Sequence, residues 1–329
     1  MSLLVVMAHF DAGQTLRQHT LSAIQNYASA ADRVVVVSTS GIRDSDYDRL
    51  PLRVDFVTRP NYGYDFFSYK WGLDIVGDFA AFDRIVITND TFVGPVVPLS
   101  ELVASDRAAE YDLMGMTWSE NHGGHAQSFF VTVNGYVARS TSFQQFWRDM
   151  TPVSDRMDVI RRYEVGLTAS VVGAGFTAGG YFEPNAAEKE LARARFAHQF
   201  AVRLLPGTGG KVKRDARPVD PDRLRLYNPA IAFADRFILD ARLPLLKFDT
   251  LRFDPYGLGA DCLLHEAELV QPDAMDGVRG FLRETKVRYP FRDKEHNILG
   301  DAAELARSGI GYCMDAEFLE RGQEQGKGE

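Results

Sequence analysis

The chain has 329 residues, 45% of them hydrophobic and 25% charged, and a net charge of −8. This length allows one large or two modest domains with a sizeable core, and the acidic balance excludes a general electrostatic footprint for nucleic acid or an anionic membrane. No stretch approaches the roughly 20 apolar residues of a membrane-spanning helix. Cys262 and Cys313 lack a metal-type spacing and predict a reducing compartment without a disulfide framework, so we expect a cytoplasmic protein.

Aliphatic runs in the first half of the chain predict buried strands. The runs are Leu3–Ala8, Arg33–Ser38, Arg53–Val57 and Ile85–Ile87, with helical periodicity between the first two. Strands and helices in this order predict an α/β fold with a mostly parallel, Rossmann-like sheet flanked by helices. We assign residues 1–185 to this domain. Residues 186–329 change character and are expected to form a mostly helical carboxyl-terminal extension.

Polar residues follow several of these strands. His9, Phe10 and Asp11 follow the first strand, and Asn89 and Asp90 follow the fourth. Open α/β sheets bind ligands at the carboxyl ends of their strands, so these residues are candidates for ligand contact. The alternative is that they cap the helices or turns that come next.

The segment from Asn61 to Asp90 has an informative spacing. An Asn61-x-Gly63 turn precedes a helix, and the next strand ends at Asp90. This order resembles sugar-nucleotide-dependent transferases of the GT-A type, in which the two phosphates of the donor must be neutralised. Asp65 and Lys70 fall in the same turn and helix and are assigned to donor binding with them. The alternative is a loop and helix of another α/β protein.

Asp90 is the candidate metal ligand. One carboxylate together with diphosphate oxygens can hold Mg²⁺, which takes few ligands from proteins. Mg²⁺ or Mn²⁺ is therefore the expected cofactor, and the alternative is that residues 89–91 form a turn or a helix cap.

Glu164 is the candidate general base for an acceptor hydroxyl, and partial burial is expected to raise its pKa toward a useful range. The alternative is an ion pair with Arg161 or Arg162 on a solvated face. His122 and His125 have the spacing of a zinc pair but lack a nearby third ligand, so a mobile glycine loop over the substrate is the preferred interpretation.

Taken together, six ordered blocks resemble the rhamnan synthesis protein F family of bacterial polysaccharide biosynthesis. The resemblance is not clear beyond about Pro184. The blocks are Ala8–Asp11, Asp32–Ser38, Asn61–Phe66, Asn89–Pro95, His125–Phe130 and Tyr163–Thr168.

The resemblance implies a GT-A-like glycosyltransferase that moves a sugar from a nucleotide-sugar donor, with dTDP-L-rhamnose favoured. The acceptor would be a cell-surface polysaccharide or a lipid-linked glycan, and single displacement would invert the anomeric centre. Glu164 becomes the preferred base and Asp90 the preferred diphosphate or metal contact. His125, Gln127 and Ser128 would orient donor sugar or acceptor, with His125 counted among the catalytic residues. The carboxyl-terminal extension would shape the acceptor side.

Other interpretations stay open. Asn89 stands where many such enzymes have a second acid, which motivates a non-catalytic glycan-assembly partner that retains the fold. A nucleotidyltransferase ranks lower because no glycine-rich basic triphosphate loop follows the first strand. The basic segment Lys211–Arg214 allows contact with the inner face of the cell membrane, although a solvated loop is favoured.

Overall fold

The computed structural model describes residues 1–202, 220–286, 305 and 307–312. The chain divides into two compact units, Met1–Glu183 and Pro184–Glu329. The basic segment Lys211–Arg214 lies outside the described residues.

The strands have the bounds that follow in chain order. They are β1 (Leu3–His9), β2 (Arg33–Ser38), β3 (Val54–Thr58), β4 (Arg84–Asn89), β5 (Phe92–Val93), β6 (Leu113–Gly115), β7 (Trp118–Ser119), β8 (His125–Ala126), β9 (Phe130–Asn134), β10 (Ala178–Gly180) and β11 (Leu246–Lys247). Within the described residues, seven of them form one sheet in the order β10-β6-β9-β4-β1-β2-β3.

The α-helices of the described residues are given next, also in chain order. They are α1 (Gln18–Ala30), α2 (Asp44–Tyr47), α3 (Tyr64–Val76), α4 (Leu99–Ala104), α5 (Asp106–Glu110), α6 (Gly135–Ala138), α7 (Thr141–Arg148), α8 (Arg156–Val159), α9 (Val165–Gly173), α10 (Ala186–Val202), α11 (Pro221–Leu224), α12 (Pro229–Ala232), α13 (Arg236–Leu239), α14 (Phe248–Phe253), α15 (Ala260–Val270), α16 (Pro272–Met275) and α17 (Val278–Lys286). A π-helical turn, Ile160–Glu164, joins α8 to α9.

The sheet of the first unit is mostly parallel, as the sequence predicts. Strand β1 pairs in parallel with both β2 and β4, β2 with β3, and β6 with β10. Strand β9 is the exception and runs antiparallel to β4 and β6. The predicted α/β class with a mostly parallel sheet is confirmed, and β9, which begins at Phe130, is the strand that runs in the opposite direction.

Helices cover the sheet because both faces of its central strands are apolar. Alternate residues of β1, Leu4, Val6 and Ala8, pack into one cluster with side chains of α3, α7 and α9. The intervening residues point to the opposite face, and all seven residues of β1 are buried. A Cβ at Gly72 would lie 2.4 Å from Val6 Cγ1, so α3 approaches the sheet closely.

The second unit is mainly helical in the residues described, as predicted. Its buried centre includes Arg195, which is 1% exposed and forms an ion pair with Asp235 at 2.7 Å. Cys262 on α15 is disulfide-bonded. The expectation that the chain has no disulfide is therefore wrong, and the cysteines no longer support a reducing compartment. Among the described residues, no helix combines the length and the apolarity needed to cross a membrane.

Candidate active site

Four strands of the sheet bring polar residues to one edge. The parallel strands β1, β2 and β4 end there at His9, Ser38 and Asn89. Because β9 runs the other way, its beginning lies at the same edge, two residues after Ser128. The edge therefore gathers residues from the sequence blocks that begin at positions 8, 32, 89 and 125.

His9 is buried in a hydroxyl network. Ser38 Oγ accepts the backbone N–H groups of Gly41 at 2.9 Å and Ser40 at 3.2 Å, and it lies 2.9 Å from His9 Nδ1 and 3.3 Å from Ser40 Oγ. Burial lowers the pKa of His9 to about 4, although the charge of Asp11 opposes this. His9 is therefore neutral at pH 7, and a proton on Nε2 would leave Nδ1 able to accept the Ser38 hydroxyl.

Asp11 holds the loop that follows β1. Burial alone would raise its pKa, but the Arg17 guanidinium, 2.7 Å from Asp11 Oδ2, and the N–H of Gly13 hold the pKa below its usual range. The backbone N–H of Asp11 donates to Ser40 Oγ at 3.0 Å. The carboxylate that the sequence assigned to donor binding is thus engaged in a salt bridge within its own loop.

Asp90 lies beside the end of β1. Its Oδ2 accepts the backbone N–H of Phe10 at 2.7 Å, and the Phe10 ring is 48% exposed. Desolvation raises the pKa of Asp90 to about 7 against the effect of the Phe10 N–H, and the charge of Asp65 adds to the rise. A cation bound beside Asp90 would stabilise its ionised carboxylate and offset the repulsion from Asp65.

Asn89 connects β4 to the start of α3. Its Nδ2 donates to Asp65 Oδ2 at 2.8 Å, and its Oδ1 accepts the Thr91 N–H at 3.1 Å. Asp65 belongs to the first turn of α3, where a carboxylate is stabilised by the helix dipole. A second acid thus lies near Asp90, supplied by a helix rather than by the neighbouring residue in sequence.

The turn before α3 contains Asn61 and Gly63. Asn61 is exposed, whereas Gly63 is buried and has a left-handed backbone with φ of 74°. Lys70 lies two turns into α3, where its Nζ is 3.2 Å from Asp74 Oδ2. An ion pair within α3 thus engages the Lys70 side chain that the sequence assigned to the donor.

Glu164 is the centre of a second cluster. Its Oε2 accepts the backbone N–H of Ser128 at 3.0 Å and also the Ser128 hydroxyl, while its Oε1 lies 3.2 Å from His125 Nε2. The structure therefore brings together three residues that the sequence assigned to the site.

The pKa of Glu164 is lowered, which corrects the expectation of a raised value. Burial does act to raise it, but hydrogen bonds from His125 and Ser128 outweigh burial. Glu164 is thus an ionised carboxylate at neutral pH. It ends the π-helical turn, a feature that often marks functional positions in helices.

The side chains flanking this cluster fix its loops. His125 Nδ1 lies 3.1 Å from the carbonyl oxygen of Asn121, so both ring nitrogens face oxygen acceptors. Gln127 Oε1 accepts the Thr117 hydroxyl at 2.7 Å. Gln127 therefore fixes the loop before β9 through its hydrogen bond to Thr117. His125 contacts both Glu164 and the glycine turn between β7 and β8.

Tyr69 lies between the Asp90 and Glu164 clusters. The buried phenol donates to the carbonyl oxygen of Ser128 at 3.2 Å. Burial raises its pKa well above the usual value, and the charges of three carboxylates, Asp65, Asp90 and Glu164, raise it further. Sequence reasoning did not assign Tyr69 to the site, although its position in the helix that follows the Asn61 turn offered a signal.

A shallow cleft of about 400 Å³ lies at the ends of β2 and β3. Its lining residues are Thr39, Ser40, Gly41, Thr58, Arg59 and Pro60. Arg59 was also missed by sequence reasoning, although a basic residue directly after a strand and before Pro60 offered a signal.

A resident metal would have few protein ligands. Among the described residues, no group of three or more His, Cys, Asp and Glu side chains is arranged to hold a metal ion. The carboxylate of Asp90, with its raised pKa and the Phe10 N–H as a donor, fits a cation only if the remaining ligands come from a bound anion or water.

Fold and site together define an α/β protein with three carboxylates gathered at the carboxyl edge of its sheet. A family model described as rhamnan synthesis protein F matches residues 34–217, more than half of the chain. The chain belongs to the rhamnan synthesis protein F family, as the sequence blocks predict. The match continues past Pro184, where the sequence resemblance was expected to end.

A curated relative is known only as an uncharacterised protein, y4gN of Sinorhizobium fredii. It is 26% identical over 159 residues, which cover 46% of this chain and 41% of the relative. The match thus spans about two fifths of that protein.

Two solved structures give partial structural matches. Glucosyl-3-phosphoglycerate synthase from Mycobacterium tuberculosis, in complex with Mn²⁺, UDP and phosphoglyceric acid, is 12% identical with a TM-score of 0.29 and covers 67% of this chain and 88% of its own. A mannosyltransferase from Pyrobaculum calidifontis, with GDP-mannose and Mn²⁺, is 14% identical with a TM-score of 0.29 and covers 88% and 84%.

Proposed function

We propose that this chain is a glycosyltransferase that moves a sugar from a nucleotide-sugar donor to a glycan acceptor. The observation that carries the proposal is the group of carboxylates Asp65, Asp90 and Glu164 around Tyr69 at the carboxyl edge of the sheet. Membership of the rhamnan synthesis protein F family supports it. The family name also favours L-rhamnose as the transferred sugar, with dTDP-L-rhamnose as donor.

The donor diphosphate would lie across the Asn61 turn and the Asp90 loop. Mg²⁺ or Mn²⁺, held by Asp90 and the phosphates, would neutralise the charge that grows on the leaving diphosphate. The Phe10 N–H, 2.7 Å from Asp90, orients this carboxylate. The nucleoside would occupy the cleft of about 400 Å³ lined by Ser40 and Thr58.

Glu164 would accept the proton of the acceptor hydroxyl. Its ionised carboxylate can take a proton without first losing one, and the N–H of Ser128 and the ring of His125 fix its orientation. A base opposite the leaving diphosphate fits a single displacement with inversion. The acceptor would be a polysaccharide or a lipid-linked saccharide, which fits work in the cytoplasm at the inner face of the membrane.

A second candidate function is a non-catalytic partner in glycan assembly that binds sugar without transferring it. Two observations favour it. Ser128 and His125 donate to both oxygens of Glu164, which weakens the carboxylate as a base. Asn89 replaces an acid beside Asp90, and its amide is bound to Asp65.

A thermal-shift panel followed by a transfer assay separates the two functions. The donors are dTDP-rhamnose and UDP-, GDP- and CMP-sugars, each with Mg²⁺, with Mn²⁺ and with EDTA. A ligand at 100 times its dissociation constant stabilises by about 2.7 kcal/mol, which gives a visible shift in Tm. A shift with one donor class, lost in Asp90→Ala, together with release of its nucleoside diphosphate supports the transferase. Absence of a shift with every donor contradicts it, and binding without turnover favours the partner.

A further inference from the structure

Arg59 makes an unusual set of contacts directly after β3. The residue is 5% exposed. Its guanidinium donates to four neutral oxygens of the chain that follows it. They are the carbonyl oxygens of Pro60 at 2.9 Å, Tyr62 at 2.7 Å and Tyr64 at 2.9 Å, and Ser68 Oγ at 3.0 Å.

These contacts use the planar geometry of the guanidinium. Four of its five N–H groups are engaged, in directions that a lysine ammonium cannot reproduce together. The rings of Tyr62 and Phe67 also lie against it, each centroid 5.4 Å from Cζ. Arg59 thus binds three alternate carbonyl oxygens of one turn and packs against two of its rings.

The turn that Arg59 binds is strained. Gly63 and Tyr64 have φ of 74° and 56°, and a left-handed backbone is unfavourable for a residue with a side chain, because Cβ comes too close to the following carbonyl oxygen. The carbonyl groups on either side of Gly63 are those of Tyr62 and Tyr64, and Arg59 binds the oxygens of both. Its contacts therefore offset the strain where it occurs.

The turn determines where α3 begins and so where Asp65 lies. Helix α3 starts at Tyr64, and Asp65 in its first turn accepts the Asn89 amide at 2.8 Å. Arg59 also lines the cleft at the ends of β2 and β3. One side chain therefore contacts the turn, the helix start and the cleft.

We propose that Arg59 is the positioning residue of the nucleotide site. It fixes the turn 60–64 so that Asp65 stays against Asn89 and the cleft keeps the shape that admits a nucleoside diphosphate. This inference rests on the proposed function for its ligand. The planar set of N–H groups on the Arg59 guanidinium holds the turn, and a positive charge alone would not.

The test compares Arg59→Lys with a matched control, Arg84→Lys. Arg84 is also buried, and its Nη2 donates to the carbonyl oxygen of Ala108, but it lies at the start of β4, at the opposite edge of the sheet. Amide hydrogen exchange reports the order of residues 61–67. Calorimetry with UDP, GDP and dTDP, each with Mg²⁺, reports nucleotide binding.

Arg59→Lys is expected to speed exchange in residues 61–67 at least tenfold and to weaken nucleotide binding about tenfold. Arg84→Lys is expected to lower Tm while both readouts stay at wild-type values. If Arg59→Lys does not fold, Ser68→Ala removes the single contact to Nε and should give a smaller change in the same direction.

Three results would overturn the inference. They are wild-type nucleotide affinity in Arg59→Lys, unchanged exchange in its turn, and equal effects of the two lysine variants. If the wild-type protein binds none of the three nucleotides, the proposed function fails instead. The exchange data then still decide whether Arg59 fixes the turn.

Discussion

Asn89 Nδ2 lies 2.8 Å from Asp65 Oδ2, which ties the end of β4 to the first turn of α3. The two residues are 24 positions apart in the chain, and Asn89 is the residue next to Asp90. A change in the turn before α3 therefore reaches the Asp90 loop through one hydrogen bond. Such a contact explains why an amide at position 89 is compatible with an acidic site.

Replacing Glu164 with glutamine should lower turnover at least about a hundredfold, because the variant loses the proton acceptor. Donor affinity should stay near the wild-type value, since a glutamine side chain has the same size as the glutamate it replaces. Turnover and donor Kd would be measured with the donor identified by thermal shift. Glu120→Gln, an exposed residue of the preceding loop, is the matched control. Equal turnover in Glu164→Gln would remove this residue from the mechanism.

Asp90 should make the metal-free protein less stable as the pH rises. Between pH 3.8 and about 7 the folded chain keeps a proton on Asp90 that the unfolded chain has lost, so stability falls through this window. Asp90→Asn removes the effect and should be more stable than wild type at pH 8, by about 1–3 kcal/mol. Urea unfolding in EDTA at pH 4 and pH 8 measures this. A difference that is the same at both pH values, or that also appears in Asp48→Asn, would contradict the assignment.

His9 should remain neutral well below pH 6. Its unfolded pKa near 6.5 falls to about 4 in the folded chain, so the unfolded chain binds more protons between these values and stability is lost as the pH falls through them. Nitrogen-15 NMR of the imidazoles should show the Nε2–H tautomer at pH 7. In Ser38→Ala the donor to Nδ1 is gone, and a mixture of tautomers is expected. A wild-type ring protonated on Nδ1 would disprove the network.

Gly63→Ala should destabilise the protein by more than about 2 kcal/mol. The residue has φ of 74°, and an added Cβ would lie 2.7 Å from Phe67 Cβ. Gly41→Ala is the comparison, because Gly41 also has a positive φ, 73°, but its added Cβ would make only an ordinary contact, 3.7 Å from Thr58 Cγ2. Urea unfolding should rank wild type above Gly41→Ala and Gly41→Ala above Gly63→Ala. Equal losses would mean that the contact with Phe67 has no cost.

Local pattern was sufficient for the central strands. The bounds of β2 are those expected, because a short run of four β-branched valines favours a strand buried on both faces. The position of the candidate site, at the carboxyl ends of the parallel strands, could also be predicted from the order of strands and helices. The direction of β9 does not, because a strand has the same residue pattern whichever way it runs.

Contacts between distant residues account for what the sequence could not predict. The pKa of Glu164 depends on donors at Ser128 and His125, which are 36 and 39 residues away in the chain. Burial of an acid was foreseeable, but three donors that reverse its effect were not. The roles of the site residues stay predictions, since the structure gives their positions and partners and only assays give their roles.

The antiparallel direction of β9 has a practical consequence. The chain enters the site edge through the β7–β8 hairpin, whose turn at Asn121–Gly124 includes the exposed His122. The carbonyl of Asn121 is one hydrogen bond from His125, and His125 contacts Glu164. An environment-sensitive fluorophore attached at position 122 would therefore sit on the rim of the site without replacing any residue proposed to act there, and its emission would report ligand arrival in real time.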